Sequence, residues 1–366
     1  MKILVLGTRG IPDIQGGVET HCQELYPKLV ELGCEVTVLT RVPYVKDKNL
    51  GEFNGVNLVP LECPTKSGLE AIVHTFKGYL YALKNKNSID VVHIHNIGPA
   101  VFIPFLKLFG FKVVVTYHSQ YYHHKKWGFI AKMLFKFGEL FSAKMADKII
   151  YLSQNIKFFV ENKHDVDNGT IIYNGVNIHS KSSRSDYINS LGLETGKYCI
   201  AVGRFVEEKG FQDLIEAYKN IDTDIKLVLV GDADHENQYS LSLKKMANEN
   251  SVVLTGFIKG EKLNQIFSHA KLFVMPSYHE GLPIALLEAM SYNLDVLVSD
   301  IPANIEVQLD KCDYFKVGDA NDLAVKLESK LKNTSIRDFQ KVIEEKYNWD
   351  LIAKQTKEVY EKVVGQ

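Results

Sequence analysis

The stretch KVVVTYHS, residues 112–119, decides the fold expected for this chain. Its residues 113–117, VVVTY, are apolar, β-branched or aromatic and lack the apolar–polar alternation of a strand with one wet face. A strand buried on both faces is typical of a parallel sheet that helices cover on both sides. The stretch therefore predicts a strand of a doubly wound α/β domain, with His118 at its carboxyl end.

Similar short runs recur on both sides of this stretch, and longer amphipathic segments separate them. Such alternation of strand-like and helix-like segments predicts a parallel sheet. We expect this first Rossmann-like domain to occupy residues 1–170. Its other strands are expected at KILVL (2–6), EVTVLT (35–40), VNLVPL (56–61), DVVHIH (90–95) and KIIYLS (148–153).

The pattern restarts after NGVNIHSKSSRSD, residues 174–186, a segment rich in Asn, Ser and Gly. A length of 366 residues also fits two domains better than one core. We expect a second Rossmann-like domain at 171–345 and a helix at 346–366 that packs back on the first domain. The second domain's strands are expected at YCIAVG (198–203), KLVLVG (226–231), VVLTG (252–256) and KLFVMPS (271–277).

Composition and cysteine spacing indicate a globular chain in a reducing compartment. Hydrophobic residues make up 46% and charged residues 24%, as in ordinary soluble domains. The five cysteines are scattered without a C-x-x-C pair, so neither a disulfide framework nor a zinc site is indicated. The longest apolar run, residues 100–111, is interrupted by Pro104 and Lys107 and is too short to span a bilayer. We therefore expect a cytoplasmic location.

Charge is distributed unevenly along the chain. Residues 1–170 carry 20 Lys and Arg against 15 Asp and Glu, whereas the remainder carries 23 against 29. A basic half can indicate an anionic partner, and it can equally be a solvated surface. The net charge of −1 lacks the basic excess of a nucleic-acid-binding protein.

The segment HHKKWGFIAKMLFKFGELFSAKMADK, residues 123–148, concentrates lysines and aromatic residues. It contains six lysines, and its acids are Glu139 and Asp147. A basic amphipathic helix of this kind can lie on an anionic membrane, here the inner face of the cytoplasmic membrane. The alternative is a core helix with solvated lysines, and the sequence leaves both open.

Polar or glycine-rich segments follow four of the predicted strands, where ligands bind in parallel α/β folds. Gly16 and Gly17 precede a helix and can expose N–H groups to phosphate, although glycines also occur in plain turns. The segment is not G-x-G-x-x-G, and the second strand ends in Arg41 rather than an acid, which disfavours a dehydrogenase. The four segments are GTRGIPDIQGGVET (7–20), TYHSQ (116–120), GRFVEEKG (203–210) and SYHEGLPIALLEAM (277–290).

The last two segments carry charges suited to a diphosphate and a sugar. Arg204 and Lys209 place a guanidinium and an ammonium in one strand-to-helix loop, where they could hold a diphosphate or simply be solvated. Glu280 and Glu288 flank a Gly-Leu-Pro turn, and Pro283 suits the first turn of a helix. Glu288 could equally be an ordinary carboxylate near a helix start.

The E-x7-E spacing of Glu280 and Glu288, with GRFVEEKG upstream and GGVET near the N-terminus, resembles the retaining glycosyltransferases of family four over nearly the whole chain. The resemblance implies the GT-B fold, in which two Rossmann-like domains face a cleft and the second domain holds most of the nucleotide-sugar donor. It implies transfer to a hydroxyl of a saccharide or lipid-linked acceptor in bacterial polysaccharide or glycolipid synthesis. No metal or other cofactor is expected.

The resemblance also assigns roles to individual residues. Glu288 would bind the donor ribose, and Glu280 and His118 would lie near the transferred sugar. The phosphates would be held by main-chain and basic groups at Gly16, Gly17, Gly203, Arg204, Lys209, Gly281, Leu282, Pro283 and Ile284.

Several alternatives remain at this stage. His118 could be a plain core or loop histidine. We expect His93 and His95 to point to opposite faces of their strand, which would prevent joint ligation, and we assign both structural roles. A nucleotide-sugar epimerase of the same architecture and a non-catalytic sugar-nucleotide-binding scaffold are the rival functions. The sequence leaves the nucleobase and the sugar open.

Overall fold

The computed structural model describes residues 1–45, 47, 50–65, 69–119, 128–333 and 335–365. The chain divides into two compact units. Unit 1 comprises Met1–Asn174 together with Trp349–Gln366, and unit 2 comprises Gly175–Asn348. The last helix of the chain thus belongs with the first half of the sequence.

In the described part of the chain, strands form at all ten expected apolar runs, and four further strands form at residues 52–53, 169–171, 295–299 and 314–315. β6 is entirely buried, as its continuous β-branched sequence predicts. In order, the strands are β1 Lys2–Leu6, β2 Glu35–Arg41, β3 Glu52–Phe53, β4 Val56–Leu61, β5 Val91–His95, β6 Val113–Tyr117, β7 Lys148–Tyr151, β8 Gly169–Ile171, β9 Tyr198–Val202, β10 Lys226–Val230, β11 Val253–Leu254, β12 Leu272–Met275, β13 Asp295–Ser299 and β14 Tyr314–Phe315.

Helices connect most consecutive strands, and some of them begin at side-chain caps. Ser153 Oγ accepts the Ile156 N–H at 3.2 Å before α5, which satisfies a donor that the helix itself leaves unpaired. In order, the helices are α1 Gly17–Glu31, α2 Leu69–Lys84, α3 Ile103–Leu108, α4 Phe129–Met145, α5 Gln154–His164, α6 Asp186–Ser190, α7 Phe211–Lys219, α8 Gln238–Glu249, α9 Glu261–His269, α10 Ile284–Ser291, α11 Pro302–Ile305, α12 Ala320–Lys332, α13 Gln340–Lys346 and α14 Trp349–Val364.

Each unit is built on one sheet whose strand order reverses once. In unit 1 the order is β3-β4-β2-β1-β5-β6-β7-β8, and in unit 2 it is β11-β10-β9-β12-β13-β14. The described pairs are parallel apart from the short β3–β4 pair. The reversals lie between β1 and β5 and between β9 and β12. Ligands of such sheets bind outside the carboxyl ends of the strands at these points. The predicted parallel α/β fold class is confirmed.

Two apolar cores cover the two faces of the unit 1 sheet. On one face α1 and α14 contribute side chains such as Leu29 and Val363, and on the other face α2 to α5 contribute side chains such as Tyr79 and Val160. The last helix is also tied to unit 1 by polar contacts, because Lys28 Nζ lies 2.6 Å from Asp350 Oδ1. The amphipathic tail therefore completes one core layer of unit 1.

Unit 2 contains a buried ion network at the start of β13. Asp295 Oδ1 accepts hydrogen bonds from Lys330 Nζ at 2.8 Å and from Arg337 Nε at 2.8 Å. The same two cations bind Asp313, which is fully buried. Because a buried charge is costly unless paired, this network ties β13 to α12 and to the segment that follows it.

Candidate functional site

The strand-order reversal in unit 2 brings Lys209 and Glu280 together. Lys209 Nζ lies 2.6 Å from Glu280 Oε1, and Ser277 Oγ donates to the same oxygen at 2.7 Å. The loops after β9 and β12 supply these groups. The side chains of Lys209 and Glu280 are 19% and 14% exposed. The ion pair is thus largely shielded from solvent, but part of it remains accessible at the carboxyl ends of the strands.

Main-chain contacts fix the two loops against each other. Gly210 has φ +64°, and a Cβ there would lie 2.1 Å from the Pro276 carbonyl oxygen. The Tyr278 N–H donates to the Glu208 carbonyl at 2.8 Å. Gly210 is therefore required for the approach that places Lys209 beside Glu280.

Arg204 has an acidic partner that the sequence analysis did not identify. Arg204 Nη1 lies 2.9 Å from Asp234 Oδ2, and Asp234 follows β10. Both predicted cations of unit 2 are therefore engaged by carboxylates in the described structure. Gly203 lies against Lys209, because a Cβ on Gly203 would be 3.1 Å from Lys209 Cε.

Helix α10 begins where the resemblance places the phosphate. Pro283 directly precedes the helix, and the N–H groups of Leu286 and Leu287 donate to its carbonyl. The first N–H groups of any helix have no intrahelical acceptor and attract anions. Pro283 itself has no N–H, so within residues 281–284 the predicted donors reduce to Gly281, Leu282 and Ile284.

Glu288 lies on the second turn of α10. Its side chain is neither fully buried nor fully exposed. Burial raises the pKa of Tyr292, and the Glu288 carboxylate raises this pKa further. The Glu288 carboxylate is therefore close enough to affect the phenol of Tyr292, which lies four residues further along the chain.

The strand-order reversal in unit 1 carries Gly16 and Gly17 together with an ion pair that the sequence analysis missed. Arg9 Nη2 lies 3.2 Å from Glu19 Oε2, and Glu19 Oε1 accepts the Arg9 N–H at 3.1 Å. Glu19 is buried at the start of α1, where the helix dipole favours a negative charge. The loop after β1 is thus fastened to the first turn of α1.

His118 directly follows β6 and contacts His95. His95 Nδ1 lies 2.8 Å from His118 Nε2. His93 and His95 are also neighbours, with ring centroids 4.4 Å apart. The expectation that they point to opposite faces is wrong, because residues two apart in a strand share a face. The H-x-H pattern on a strand was the signal that could have identified this cluster.

The contacts continue from His95 into the interior of unit 1. Tyr26 Oη lies 2.5 Å from His95 Nε2 and 3.0 Å from His93 Nδ1, and Thr116 Oγ1 lies 2.8 Å from His93 Nε2. We call Thr116, His93, Tyr26, His95 and His118 the histidine chain. Its members come from α1, β5, β6 and the residue after β6.

Two further side chains border the histidine chain. Tyr360 Oη lies 2.6 Å from His93 Nδ1. The His21 ring meets the His118 ring edge-on, with centroids 5.0 Å apart, and His21 Nδ1 lies 2.8 Å from Asn174 Oδ1. The orientation of the His118 ring is therefore restrained both by a hydrogen bond and by packing.

Burial keeps these histidines neutral. It lowers the pKa of His21 to about 4 and that of His93 to about 3. Burial, reinforced by the neighbouring histidines, also lowers the pKa values of His95 and His118 well below the usual 6.5. Each imidazole therefore carries a single proton near neutral pH.

Three of these histidines also have the spacing of a metal site. Ligand nitrogens of His21, His95 and His118 lie within 4.8 Å of one another, within the part of the chain that the structure describes. His21 Nε2 is buried and has no hydrogen-bond partner among the residues that the structure describes. However, His95 Nδ1 and His118 Nε2 already contact each other, so a metal would have to replace that hydrogen bond.

The basic aromatic segment is described from residue 128 onward, and its part at 123–127 lies outside the described residues. Helix α4 buries Gly138, Glu139, Ser142 and Ala143 against unit 1. Its opposite face exposes Phe129, Ile130, Met133 and Phe137. Within the described residues, none of the helices combines the length and the apolar character that crossing a membrane requires.

Comparison with known proteins matches both halves of the chain. A family model described as "Glycosyltransferase Family 4" matches residues 15–180, and one described as "Glycosyl transferases group 1" matches residues 183–356. The alpha-maltose-1-phosphate synthase of Mycolicibacterium smegmatis is 26% identical over 99% of this chain and 100% of its own length.

A second relative and one solved structure extend the comparison. The UDP-Gal:alpha-D-GlcNAc-diphosphoundecaprenol alpha-1,3-galactosyltransferase of Escherichia coli is 28% identical over 67% of this chain and 66% of its own. The crystal structure of Anabaena HepE in complex with UDP and glucose matches with a TM-score of 0.81 at 18% identity, over 99% of this chain and 100% of that chain. The predicted GT-B fold is thereby confirmed.

Proposed function

Because the chain belongs to the glycosyltransferases of family 4, we propose that it transfers a sugar from a nucleoside-diphosphate sugar with retention of configuration and without a metal. The acceptor is a hydroxyl of a saccharide or a lipid-linked saccharide in cell-surface polysaccharide synthesis. The relative from Escherichia coli, which is named for a diphosphoundecaprenol acceptor, supports the lipid-linked choice.

The observation that carries this proposal is the contact between Lys209 and Glu280 at the strand-order reversal. In the proposed reaction Lys209 and Arg204 neutralise the departing diphosphate, and Glu280 contacts the transferred sugar. Preformed charges in a shielded site stabilise a transition state without reorganising, which makes them effective there. Glu288 on α10 binds the ribose, and the start of α10 receives a phosphate.

The contacts of Glu280 disfavour its Oε1 as a nucleophile, so the proposed retaining reaction uses no covalent intermediate on Glu280. Glu280 Oε1 accepts from Lys209 Nζ and Ser277 Oγ, so this oxygen is engaged in holding the site. In the proposed step the bond from the sugar C1 to the phosphate oxygen breaks and the bond from C1 to the acceptor oxygen forms on the same face. The acceptor proton passes to the departing phosphate.

The test is a transfer assay with uridine, guanosine and thymidine diphosphate sugars, with product configuration read by NMR. Lys209→Met should lower kcat about 10²–10³-fold, as expected when one charge-stabilising donor is removed. Lys245→Met is the matched control, because Lys245 is an exposed lysine on α8, and it should retain full activity.

Other results would contradict the proposal in different ways. Conversion of the donor sugar without an acceptor would indicate an epimerase, and donor binding without turnover would indicate a scaffold. Full activity of Lys209→Met would remove Lys209 from the mechanism. Loss of activity in EDTA with recovery on adding Mg²⁺ would refute metal independence.

We further propose that an apolar surface of unit 1 rests on anionic membrane lipid at the inner face of the cytoplasmic membrane. This surface, the apolar helical face, is formed by α2, α3 and α4, which lie on the same face of the sheet. The ring centroids of Phe102, just before α3, and Phe76 of α2 are 6.2 Å apart. The exposed residues of the apolar helical face are Ile72, Phe76, Leu80, Phe105, Leu108, Phe129, Ile130, Met133 and Phe137.

Charge favours anionic lipid as the occupant of this face. Helix α4 carries Lys132, Lys136 and Lys144, and Glu139, the acid within Phe129–Met145, is completely buried. Each lysine near an anionic surface contributes about 1 kcal/mol of attraction. An apolar face with such a basic border is typical of peripheral membrane binding.

A further inference from the structure

The histidine chain runs from the interior of unit 1 to a less buried end. His93 and His95 have no exposed surface, whereas His118 is 6% exposed. His118 also lies at the carboxyl end of β6, the strand next to β5, which borders the strand-order reversal between β1 and β5. The chain thus ends on the residue to which the proposed function gives a role at the sugar.

The contacts leave His118 one ring nitrogen for a substrate. A neutral imidazole has one donor nitrogen and one acceptor nitrogen. His118 Nε2 faces His95 Nδ1 at 2.8 Å, so Nε2 is occupied. Nδ1 is therefore the nitrogen that can serve a ligand, and the direction of the hydrogen bond to His95 decides whether Nδ1 donates or accepts.

Tyr26 sets that direction. Its hydroxyl lies 2.5 Å from His95 Nε2, and a phenol is a much stronger acid than a neutral imidazole N–H. Because a phenol has one proton, the favoured arrangement has the Tyr26 O–H donating to His95 Nε2, the nearer of its two imidazole partners, rather than to His93 Nδ1 at 3.0 Å. His95 then carries its proton on Nδ1 and donates to His118 Nε2. His118 in turn carries its proton on Nδ1.

We propose that Tyr26 and His95 are positioning residues that hold His118 as the Nδ1–H tautomer, so that His118 donates a hydrogen bond to a sugar oxygen. The substrate part of this proposal rests on the proposed function, whereas the tautomer is a property of the protein alone. The edge-on contact with His21 keeps the His118 ring plane in place. The histidines on β5 thus support the donor at the end of β6.

The experiment is long-range ¹H–¹⁵N NMR of the full chain labelled with ¹⁵N-histidine, near pH 7.5. Signals that disappear in His118→Gln identify His118. The wild-type spectrum should show His118 protonated on Nδ1. Tyr26→Phe removes the phenolic donor while keeping the ring, and His118 should then show a mixture of tautomers or the Nε2–H form.

Kinetics provide a second readout for the same variants. Tyr26→Phe should lower kcat about tenfold, roughly the factor for one lost hydrogen bond, with the donor KM changed less than twofold. Tyr151→Phe is the matched control, because Tyr151 of β7 is also fully buried in unit 1 and, among the described residues, its hydroxyl has no hydrogen-bond partner. It should leave the His118 tautomer and kcat unchanged.

Three results would overturn the inference. The first is a wild-type His118 that is protonated on Nε2, and the second is a His118 tautomer that Tyr26→Phe does not alter. The third is stoichiometric zinc in the purified protein, because zinc would require lone pairs on His21, His95 and His118. If the protein transfers no sugar from any donor, the proposed function fails. If Tyr26→Phe does not fold, the wild-type spectrum still decides whether His118 carries its proton on Nδ1, as the inference requires.

Discussion

Gly16 and Gly17, at the start of α1, are subject to different constraints. Gly16 has φ +144°, and a Cβ there would lie 2.2 Å from Glu19 Oε2, so Gly16 is needed for the fold itself. At Gly17 a Cβ would meet no atom of the described residues within 4 Å, and the backbone is not in the left-handed region. Packing among the described residues of unit 1 therefore does not explain the space beside Gly17.

This difference makes Gly17→Ala a test of substrate approach. Alanine in a helix is more stable than glycine by roughly 0.5–1 kcal/mol, so the variant should fold with an unchanged or higher Tm. If the diphosphate approaches this backbone as the resemblance implies, the added methyl group should lower kcat/KM at least about tenfold, as a clash with a bound phosphate would. Transfer kinetics and a thermal melt measure the two effects.

Gly128→Ala is the matched control. Gly17 is the first residue of α1 and Gly128 directly precedes α4, and a Cβ on Gly128 would likewise meet no atom of the described residues within 4 Å. It should change neither Tm nor kinetics appreciably. Unchanged kinetics in Gly17→Ala would show that Gly17 does not border the reacting substrate.

The residue types of the candidate site could be predicted from sequence, whereas their pairing could not. Glycines, cations and acids after apolar runs marked Lys209 and Glu280, because strand ends meet at one sheet edge. Their contact joins residues 71 positions apart, and the contact of Arg204 with Asp234 spans 30 positions. No local pattern encodes such pairings, since they depend on how the loops fold over the sheet.

At the scale of elements, the apolar runs predicted the strands well because parallel strands are buried on both faces. The buried network around Asp295 was not predicted. Its partners Lys330 and Arg337 lie 35 and 42 positions after Asp295 in the sequence. Residues of these types are also common on an ordinary surface helix and loop. The spacing of apolar residues in the sequence indicates which face of an element is buried, but it does not indicate which charged side chains are buried together.

Helix α4 illustrates a related ambiguity, because both of its faces contain apolar residues. Gly138 allows close packing, since a Cβ there would collide with the Ile97 carbonyl. On the opposite face Phe129 and Ile130 are 83% and 69% exposed. The packed face accounts for the fold, and the exposed face remains for the lipid surface proposed above.

The membrane proposal predicts the behaviour of a variant of the apolar helical face. The double substitution Phe129→Ser and Ile130→Ser should weaken binding to phosphatidylglycerol-containing vesicles at least about tenfold, because burying one large apolar side chain contributes roughly 1.5–3 kcal/mol. Vesicle co-sedimentation measures the partition constant. Raising the salt concentration should weaken wild-type binding, since salt screens the attraction between lysines and lipid.

The control for this experiment lies in the other unit. Val325→Ser replaces an apolar side chain on α12 that is 67% exposed, and it should bind vesicles as the wild type does. Equal loss in both variants would indicate a general effect of surface polarity. Wild-type protein that does not sediment with anionic vesicles would refute the membrane proposal.

At the scale of the whole molecule, the buried histidines are concentrated in unit 1. Among the described residues, His21, His74, His93, His95 and His118 are buried there, whereas the unit 2 histidines His179, His235, His269 and His279 are not. Burial, together with the smaller effect of the Arg41 charge, lowers the pKa of His74 to about 3. All five buried histidines thus have folded-state pKa values below the unfolded value of about 6.5.

This distribution predicts that acid destabilises unit 1 selectively. Because these pKa values are lowered on folding, the unfolded chain binds more protons below pH 6.5. The stability contributed by neutral burial is therefore complete above pH 6.5 and is lost as the pH falls toward about 4. Each buried histidine should cost about 2 kcal/mol by pH 5. Unit 1 should consequently unfold at a lower urea concentration at pH 5.5 than at pH 7.5.

Tryptophan fluorescence isolates this transition, because both tryptophans, Trp127 and Trp349, fall within the sequence of unit 1, while far-UV circular dichroism reports both units. The urea midpoint measured by fluorescence should shift with pH more than the urea midpoint of the dichroism transition that reports unit 2. His21→Gln should reduce this pH dependence, whereas His235→Gln, at an exposed position of unit 2, should not. A fluorescence midpoint independent of pH between 7.5 and 5.5 would show that the buried histidines do not control the acid stability of unit 1.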